Sequence, residues 1–266
     1  MEDKDRAPAK LNVHVPHPAR MYDYYLGGKD NFAADREAAD KVLAVLPEGR
    51  DMAVQNRAFL RRAVRYLARA GIRQFLDIGA GLPTQGNVHE VAAETAGNTR
   101  VVYVDNDPIV LAHARALLAE CGHAWVIQAD LREPESILTD PVVRDVIDFS
   151  QPVAILLVAV LQFIRDSEDP GGIVARLREA MGPGSYLVIS HGTQDFNPEL
   201  AQRAVSFYEQ ATAPFVLRHY AEIKSFFGDL ELAEPGLVQL PMWRPDGPLP
   251  ANAERIWLYA GVGRRG

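Results

Sequence analysis

Cysteine is nearly absent from this chain: Cys121 is the one example in 266 residues. An intrachain disulfide and a zinc site built from clustered cysteines are therefore excluded, and Cys121 reads as a packing residue near a helix end. Long hydrophobic runs are missing too. The longest, Val153 to Leu161, falls well short of the ~20 residues that cross a bilayer. Met1 to Lys10 is too polar for a signal peptide. These features lead us to expect a soluble, cytoplasmic protein with no membrane partner. Positive charge is in deficit, 28 Lys and Arg against 35 Asp and Glu. Phosphate contacts need a basic surface, so no nucleic-acid partner is expected and a small-molecule substrate is favoured. His14, His17, His89 and His219 lack metal-ligand spacing, and His113 and His123 read as surface residues, so no metal site is expected. Internal repeats, low-complexity segments and a glycine–serine nucleophile elbow are also lacking.

What is present is core material. Hydrophobic residues make up 48% of the chain, enough for one large α/β domain or a domain with an added lid. Residues 1–16 read as a tail. Helices are expected from Pro18 to the Gly27-Gly28 pair, from 31 to 46, and from 56 to 70 with Gly71 as its cap. Arg61, Arg62, Arg65 and Arg69 read as the solvated face of that third helix. Strands and helices then alternate: 74–78, 84–96, 101–105, 107–120, 124–129 and 136–146. This order signals a parallel, doubly wound sheet. Residues 152–161 form an apolar fourth strand covered on both faces, and 185–190 the fifth. Helices at 171–181, 197–212 and 219–227 and late strands at 237–242 and 255–262 complete the reading.

The most informative stretch is Phe75-Leu76-Asp77-Ile78-Gly79-Ala80-Gly81-Leu82-Pro83-Thr84. It reads as a buried strand, a glycine turn and the start of a helix. Gly79 and Gly81 allow a sharp turn against which a ligand can lie, and free N–H groups at the helix start face that ligand. A dinucleotide fingerprint would place a third glycine where Thr84 stands. Asp77 would repel a pyrophosphate and attract a cation, so a nucleoside with a positive amino-acid end fits best. Val101 to Val104 then runs into Asp105-Asn106-Asp107-Pro108. Asp105 sits where an acid accepts both ribose hydroxyls of an adenosine, whereas Asp107 and Pro108 read as an N-cap and first helical residue. A third strand ends at Asp130, whose carboxylate can accept from an adenine amino group while the Leu131 N–H donates to a ring nitrogen. Ala159 and Val160 at the fourth strand end would wall the reacting group.

Three acids at three successive strand ends resemble the class I S-adenosylmethionine-dependent methyltransferases. The segment from Ala19 to Arg36 is similar to the opening signature of an actinobacterial family within that superfamily, formerly a domain of unknown function. Phe75 to Pro83, Tyr103 to Asp107, Ile155 to Leu161, Pro235-Gly236-Leu237 and Trp243-Arg244-Pro245 match it further. The resemblance covers nearly the whole chain after the first dozen residues. It implies a seven-stranded, mostly parallel Rossmann-like sheet with an N-terminal helical cap, S-adenosylmethionine as cofactor, and methyl transfer to an acceptor it does not identify. A last hairpin would place one antiparallel strand inside the sheet. Gln162 stands where the family often has histidine, which withholds a catalytic role from that position.

The expected division is a tail and cap over 1–55 and a cofactor-binding domain over 56–266. The expected cofactor-binding set is Arg20, Tyr22, Tyr25, Asn31, Asp77, Gly79, Ala80, Gly81, Asp105, Asn106, Asp130, Leu131, Ala159 and Val160. Arg20 would meet the methionine carboxylate and the tyrosines would roof the methyl donor, with Gly27-Gly28 as the hinge of a lid. His191, read as following the fifth strand, is the one candidate to take a proton from an acceptor; its alternative is a loop histidine bonded to backbone. An NAD-dependent oxidoreductase and a non-catalytic S-adenosylmethionine-binding protein are the rival readings.

Overall fold

The computed structural model describes residues 13–83, 86–118 and 121–266. Its centre is a sheet of β1 (Gln74–Ile78), β2 (Arg100–Asp105), β3 (Ala124–Gln128), β4 (Ala154–Val158) and β5 (Tyr186–Gly192), all parallel. β6 (Glu231–Leu232), β7 (Val238–Gln239) and β8 (Leu258–Arg264) finish it. The order is β3-β2-β1-β4-β5-β8-β6, with β7 also pairing β8. β8 runs antiparallel between β5 and the short β6, as the late-hairpin expectation required. The short β6 adds an eighth strand to the seven expected, and residues 237–242 shrink to a two-residue strand followed by a single tight turn.

Alternation along each strand makes two cores. Leu76, Ile78, Val102, Val104, Ile155, Leu157, Leu187 and Ile189 face one side. There they meet α6 (Pro134–Leu138), α7 (Pro141–Val146), α8 (Pro170–Ala180) and α10 (Tyr220–Ser225). Phe75, Val101, Tyr103, Leu156 and Val188 face the other, against α3 (Gly49–Arg69) and α4 (Val88–Ala96). A strand buried on both faces reads as a continuous apolar run, which is why β4 was the most apolar segment. α5 (Pro108–Leu118) follows β2, and α9 (Pro198–Ser206) follows β5. Among the described residues, no helix is long and apolar enough to cross a membrane, and no group of three or more His, Cys, Asp or Glu could hold a metal ion.

The N-terminal cap is α1 (Pro18–Tyr25), α2 (Ala33–Val45) and the first turns of α3. Its own core joins Met21, Tyr25, Ala39, Val42 and Ala53 to Ala204 and Tyr208 from the α9 region. The expected boundary at 55/56 falls inside α3, so cap and sheet share a helix instead of meeting at a linker. α3 begins at Gly49, immediately after the turn at Pro47, and not at Asn56. α4 begins at Val88, later than expected, and Thr84 lies outside the described residues, as do residues 1–12 of the expected tail.

Two expectations are corrected here. The Gly27-Gly28 pair is not a free hinge. Asp23 knits this turn, its carboxylate accepting from Asp30 N at 3.0 Å and Asn31 Nδ2 at 2.8 Å, while Gly28 N bonds Asp23 O at 2.9 Å. Arg62 is not on a solvated face. It is buried, donating from Nε to Trp243 O at 2.9 Å and from Nη2 to Leu240 O at 3.1 Å. Arg62→Leu should leave buried carbonyls without donors and lower stability by about 1–3 kcal/mol, whereas Arg69→Ala, at an exposed position, should change it by less than about 0.5 kcal/mol. Urea midpoints of the two variants test this; equal midpoints would refute it.

Candidate active site

A backbone constraint starts the site. β1 and β4 are neighbours, yet the chain leaves β1 toward β2 on one side and enters β4 on the other. That reversal opens a crevice at the carboxyl ends of the strands, where open α/β sheets bind ligands. Gly79 turns the chain there with φ +76°, and a Cβ added to it would sit 2.3 Å from Val160 Cγ2. No side chain fits. Gly81, at φ +67°, has nothing within 4 Å of its Cβ position. Across the crevice Ala159 sits at φ +54°, a conformation costing roughly 1–2 kcal/mol for a residue with a Cβ. Its N–H is held by Ser190 O at 3.0 Å. The left-handed residue ends β4 three positions earlier than expected and turns Val160 onto Gly79.

A cavity of about 500 Å³ opens from this crevice, within the roughly 300–1,000 Å³ of small-molecule sites. One part is lined by the turns after β1, β2, β3 and β4, the other by the cap and the α9 region. Asp105 organises the first part. Its Oδ2 accepts from Gly81 N at 2.8 Å and its Oδ1 from Asp107 N at 2.9 Å. The Asn106 N–H is a third backbone donor to this carboxylate, and since a carboxylate has about four lone-pair positions it keeps room for a further hydroxyl donor. Burial pushes the Asp105 carboxyl up to about 6, with the N–H groups of Asp107, Gly81 and Asn106 opposing. Burial pushes Asp77 further, to about 7, with Arg57 on α3 opposing and Asp105 adding to the rise. Both acids await positive charge or hydrogen-bond donors.

Asp130 differs. Burial raises it, but Arg132 and Asn106 outweigh that and hold it at about 2. Oδ1 accepts from Arg132 N and Nε, both at 2.9 Å, and Oδ2 from Arg132 Nη2 at 2.5 Å and Asn106 Nδ2 at 3.1 Å. All four positions are in use, so an adenine amino group reaches Asp130 only by displacing one of these donors.

The cap closes over the crevice through polar contacts at both ends of α1. His17 Nδ1 lies 3.2 Å from Asp107 Oδ2. At the other end Ser190 Oγ donates to Asn56 Oδ1 at 2.6 Å, Asn56 Nδ2 donates to Tyr22 Oη at 3.0 Å, and Tyr22 donates to Ala53 O at 3.0 Å. Asn56 and His17 line the cavity and were not among the expected site residues. The signal for Asn56 was a polar residue four positions before Leu60 on the apolar face of a helix. Arg20 Nε, also buried here, pairs with Asp35 Oδ1 at 3.3 Å and lies 4.0 Å from Asp107 Oδ2.

The family model for S-adenosyl methyltransferases matches residues 4–266. The chain belongs to that family. It is 43% identical to a proposed methyltransferase from Thermobifida fusca, with a TM-score of 0.91 over 98% of this chain and 99% of that one. A DUF574 family protein from Streptomyces avermitilis is also 43% identical, with a TM-score of 0.91 over 97% of this chain and 100% of that one. An O-methyltransferase family protein from Burkholderia thailandensis shares the fold at 15% identity, with a TM-score of 0.54 over 82% of this chain and 60% of that one. No curated protein matches the chain.

In this methyltransferase the cavity gathers most of the residues expected from the sequence. Arg20, Tyr22 and Tyr25 come from α1, Asp77 and Gly79 to Gly81 from β1, Asp105 and Asn106 from β2, Asp130 and Leu131 from β3, and Ala159 and Val160 from β4. Asn31 and His191 do not line it. Asn31 serves the turn after α1, bonded to Asp23, Gly28 O and Arg36. His191 lies within β5, fully buried, because that strand continues to Gly192 in register with β8. Its Nδ1 meets Gly192 O at 2.7 Å and its Nε2 meets Arg218 Nη1 at 2.9 Å. Burial depresses it to about 3, with Arg218 adding to the fall. A ring so enclosed takes no proton from a ligand in the cavity. Gln162 does line the cavity, and its Oε1 accepts from Gly192 N at 3.2 Å.

The raised Asp77 has a pH consequence. Its folded-state value, about 7, exceeds the ordinary carboxyl value of 3.8. The neutral carboxyl therefore favours the ligand-free fold below about pH 4, and that contribution is lost as pH rises through 7. Asp77→Asn should leave stability nearly unchanged at pH 4 and raise it at pH 8 by on the order of 2–4 kcal/mol, at about 1.4 kcal/mol per unit. Urea unfolding at both pH values checks it, and an equal effect at each would exclude Asp77 as the source.

Proposed function

We propose that this protein transfers a methyl group from S-adenosylmethionine to a small-molecule acceptor. The observation that carries the reading is the buried Asp105 carboxylate, which lines the cavity at the end of β2 and is bonded to Gly81 of the glycine turn. In this reading Asp105 accepts the two ribose hydroxyls, Asn106 and Leu131 border the adenine, and Ala80 and Gly81 give their backbone to the amino-acid end. Asp77 receives the ammonium of that end, and Arg20 from the cap meets its carboxylate. Asp77 and Asp105 side by side would repel the pyrophosphate of a dinucleotide, which argues against nicotinamide chemistry.

Bound there, S-adenosylmethionine supplies an electrophilic methyl on a sulfonium that departs as a neutral thioether, so no acid is needed for the leaving group. The chain's task is positional. Ala159 and Val160 wall the crevice, Tyr22 and Tyr25 cover it, and the closed cap excludes water while an acceptor is held in line, about 3–3.5 Å from the reacting carbon.

Calorimetry with S-adenosylmethionine, S-adenosylhomocysteine and NAD tests the proposal. The first two should bind and NAD should not; binding of NAD alone would overturn it. Asp105→Ala removes charge-assisted hydrogen bonds worth roughly 1.5–3 kcal/mol each, so cofactor affinity should fall tenfold or more. Because Asp105 also holds Gly81 and Asp107, the same variant should melt at a lower temperature. Unchanged affinity would place the nucleoside elsewhere. Gly79→Ala should lose both stability and cofactor binding, since its Cβ meets Val160, whereas Gly81→Ala should lose less stability; the reverse ranking of their melting temperatures would refute the turn's role.

A further inference from the structure

The cavity extends beyond the crevice into the cap, and the chemistry of that second part differs. Val42 and Leu46 enter from α2 and its end, and Ala201 and Ala204 from α9. Three rings form the far wall. Tyr208 stacks on Phe215 with centroids 4.6 Å apart at 28°, and Phe163 meets Phe215 edge-on at 5.5 Å and 68°. None of the described residues that α2, α9 and the segment 207–217 give to the cavity carries a charge. An ion placed among them would be desolvated without compensation. Thr212 adds a hydroxyl to this lining, and a polar pair interrupts it among the rings: the Tyr25 and Tyr208 hydroxyls lie 3.3 Å apart. One hydroxyl donates to the other, and the second proton stays free to point at a ligand atom. Burial keeps both phenols neutral, pushing Tyr208 up to about 12 and Tyr25 well above its ordinary value.

We infer that this second compartment binds the acceptor, and that the acceptor is a neutral, ring-containing, mostly hydrocarbon molecule with a hydrogen-bond acceptor atom turned to the Tyr25–Tyr208 pair. The flat ring walls select planar groups, because offset and edge contacts to aromatic faces are favourable beyond simple burial. Small alanines on α9 leave the room that larger residues would fill. The inference deepens the methyltransferase reading and relies on it only for calling the ligand an acceptor.

A pair of fluorescent probes matched in skeleton and differing in charge tests it: N-phenyl-1-naphthylamine, which is neutral, and 8-anilinonaphthalene-1-sulfonate, the same skeleton carrying a sulfonate. The neutral probe should bind one per chain, at least tenfold tighter than the sulfonate, and should stay bound in saturating S-adenosylhomocysteine. Ala204→Phe and Ala213→Phe should each weaken it tenfold or more while S-adenosylhomocysteine affinity stays within twofold. Ala213 lies in a half-buried loop, so its variant keeps the test available if the helical substitution disturbs folding. Equal binding of the two probes would overturn the inference. So would displacement of the neutral probe by S-adenosylhomocysteine, or full probe affinity in both variants. Failure of S-adenosylhomocysteine to bind at all would instead strike the cofactor reading, and the probe comparison would still judge the compartment.

Discussion

The contact between the Gly79 backbone and Val160 is the constraint on which the rest of this structure depends. It closes the floor between β1 and β4, the two strands from which the chain winds in opposite directions. Because the space is filled by Val160, residue 79 can have no Cβ. Because Val160 must point there, Ala159 takes a left-handed conformation and β4 stops at Val158. The turn after β1 is then tied to the next strand end by the Asp105 carboxylate, which holds Gly81 on one oxygen and the start of α5 on the other. Strand order, turn geometry and the acid thus form one mechanical unit, and the crevice is what remains open beside it.

That unit is electrostatically unfavourable when empty. Asp77 and Asp105 are buried near each other, and each carboxyl is pushed above its ordinary range. Burial makes the charged form of each costly, yet Asp105 also holds Gly81 and Asp107 in place, so its electrostatic cost is carried by a residue the turn needs. Asp130, at the next strand end, is already matched by Arg132 and stays charged. The acids are thereby differentiated: two are pushed upward by burial, and one is held down by its donors. Sites often place buried acids in such unequal surroundings.

Local chemistry decided what could be read from the chain. The glycine turn, the acids at strand ends and the alternation of strands and helices depend on nearest neighbours and on period, and the structure places them as expected. Most of the differences depend on partners distant in the chain. His191 was read as a loop residue because nothing near it reveals that β5 continues to Gly192, a register set by Leu258 of β8. Arg62 looked solvated because its acceptors, Leu240 and Trp243, arrive from the far end of the chain. Asn31 lies in the segment that carries the family resemblance, which made it a ligand candidate, yet Asp23 eight residues earlier claims it. Asn56 went unnoticed as a site residue because its role exists only once β5 and α1 meet at it.

The cap is positioned by polar bonds as much as by its apolar core. At one end of α1, His17 sits against Asp107, the residue that caps α5. At the other, Tyr22 ends a chain of hydrogen bonds that begins on β5 and passes through Asn56. A satisfied buried network specifies one geometry more strictly than apolar contact does, so the Ser190–Asn56–Tyr22 chain registers α1 to the sheet, while His17 and Asp107 are close neighbours at the start of the helix. The Gly27-Gly28 turn cannot serve as the pivot, because Asp23 binds both of its flanks and carries the turn along with α1. The turn is therefore one piece with α1, and the Ser190–Asn56–Tyr22 chain fixes where that piece sits over the sheet.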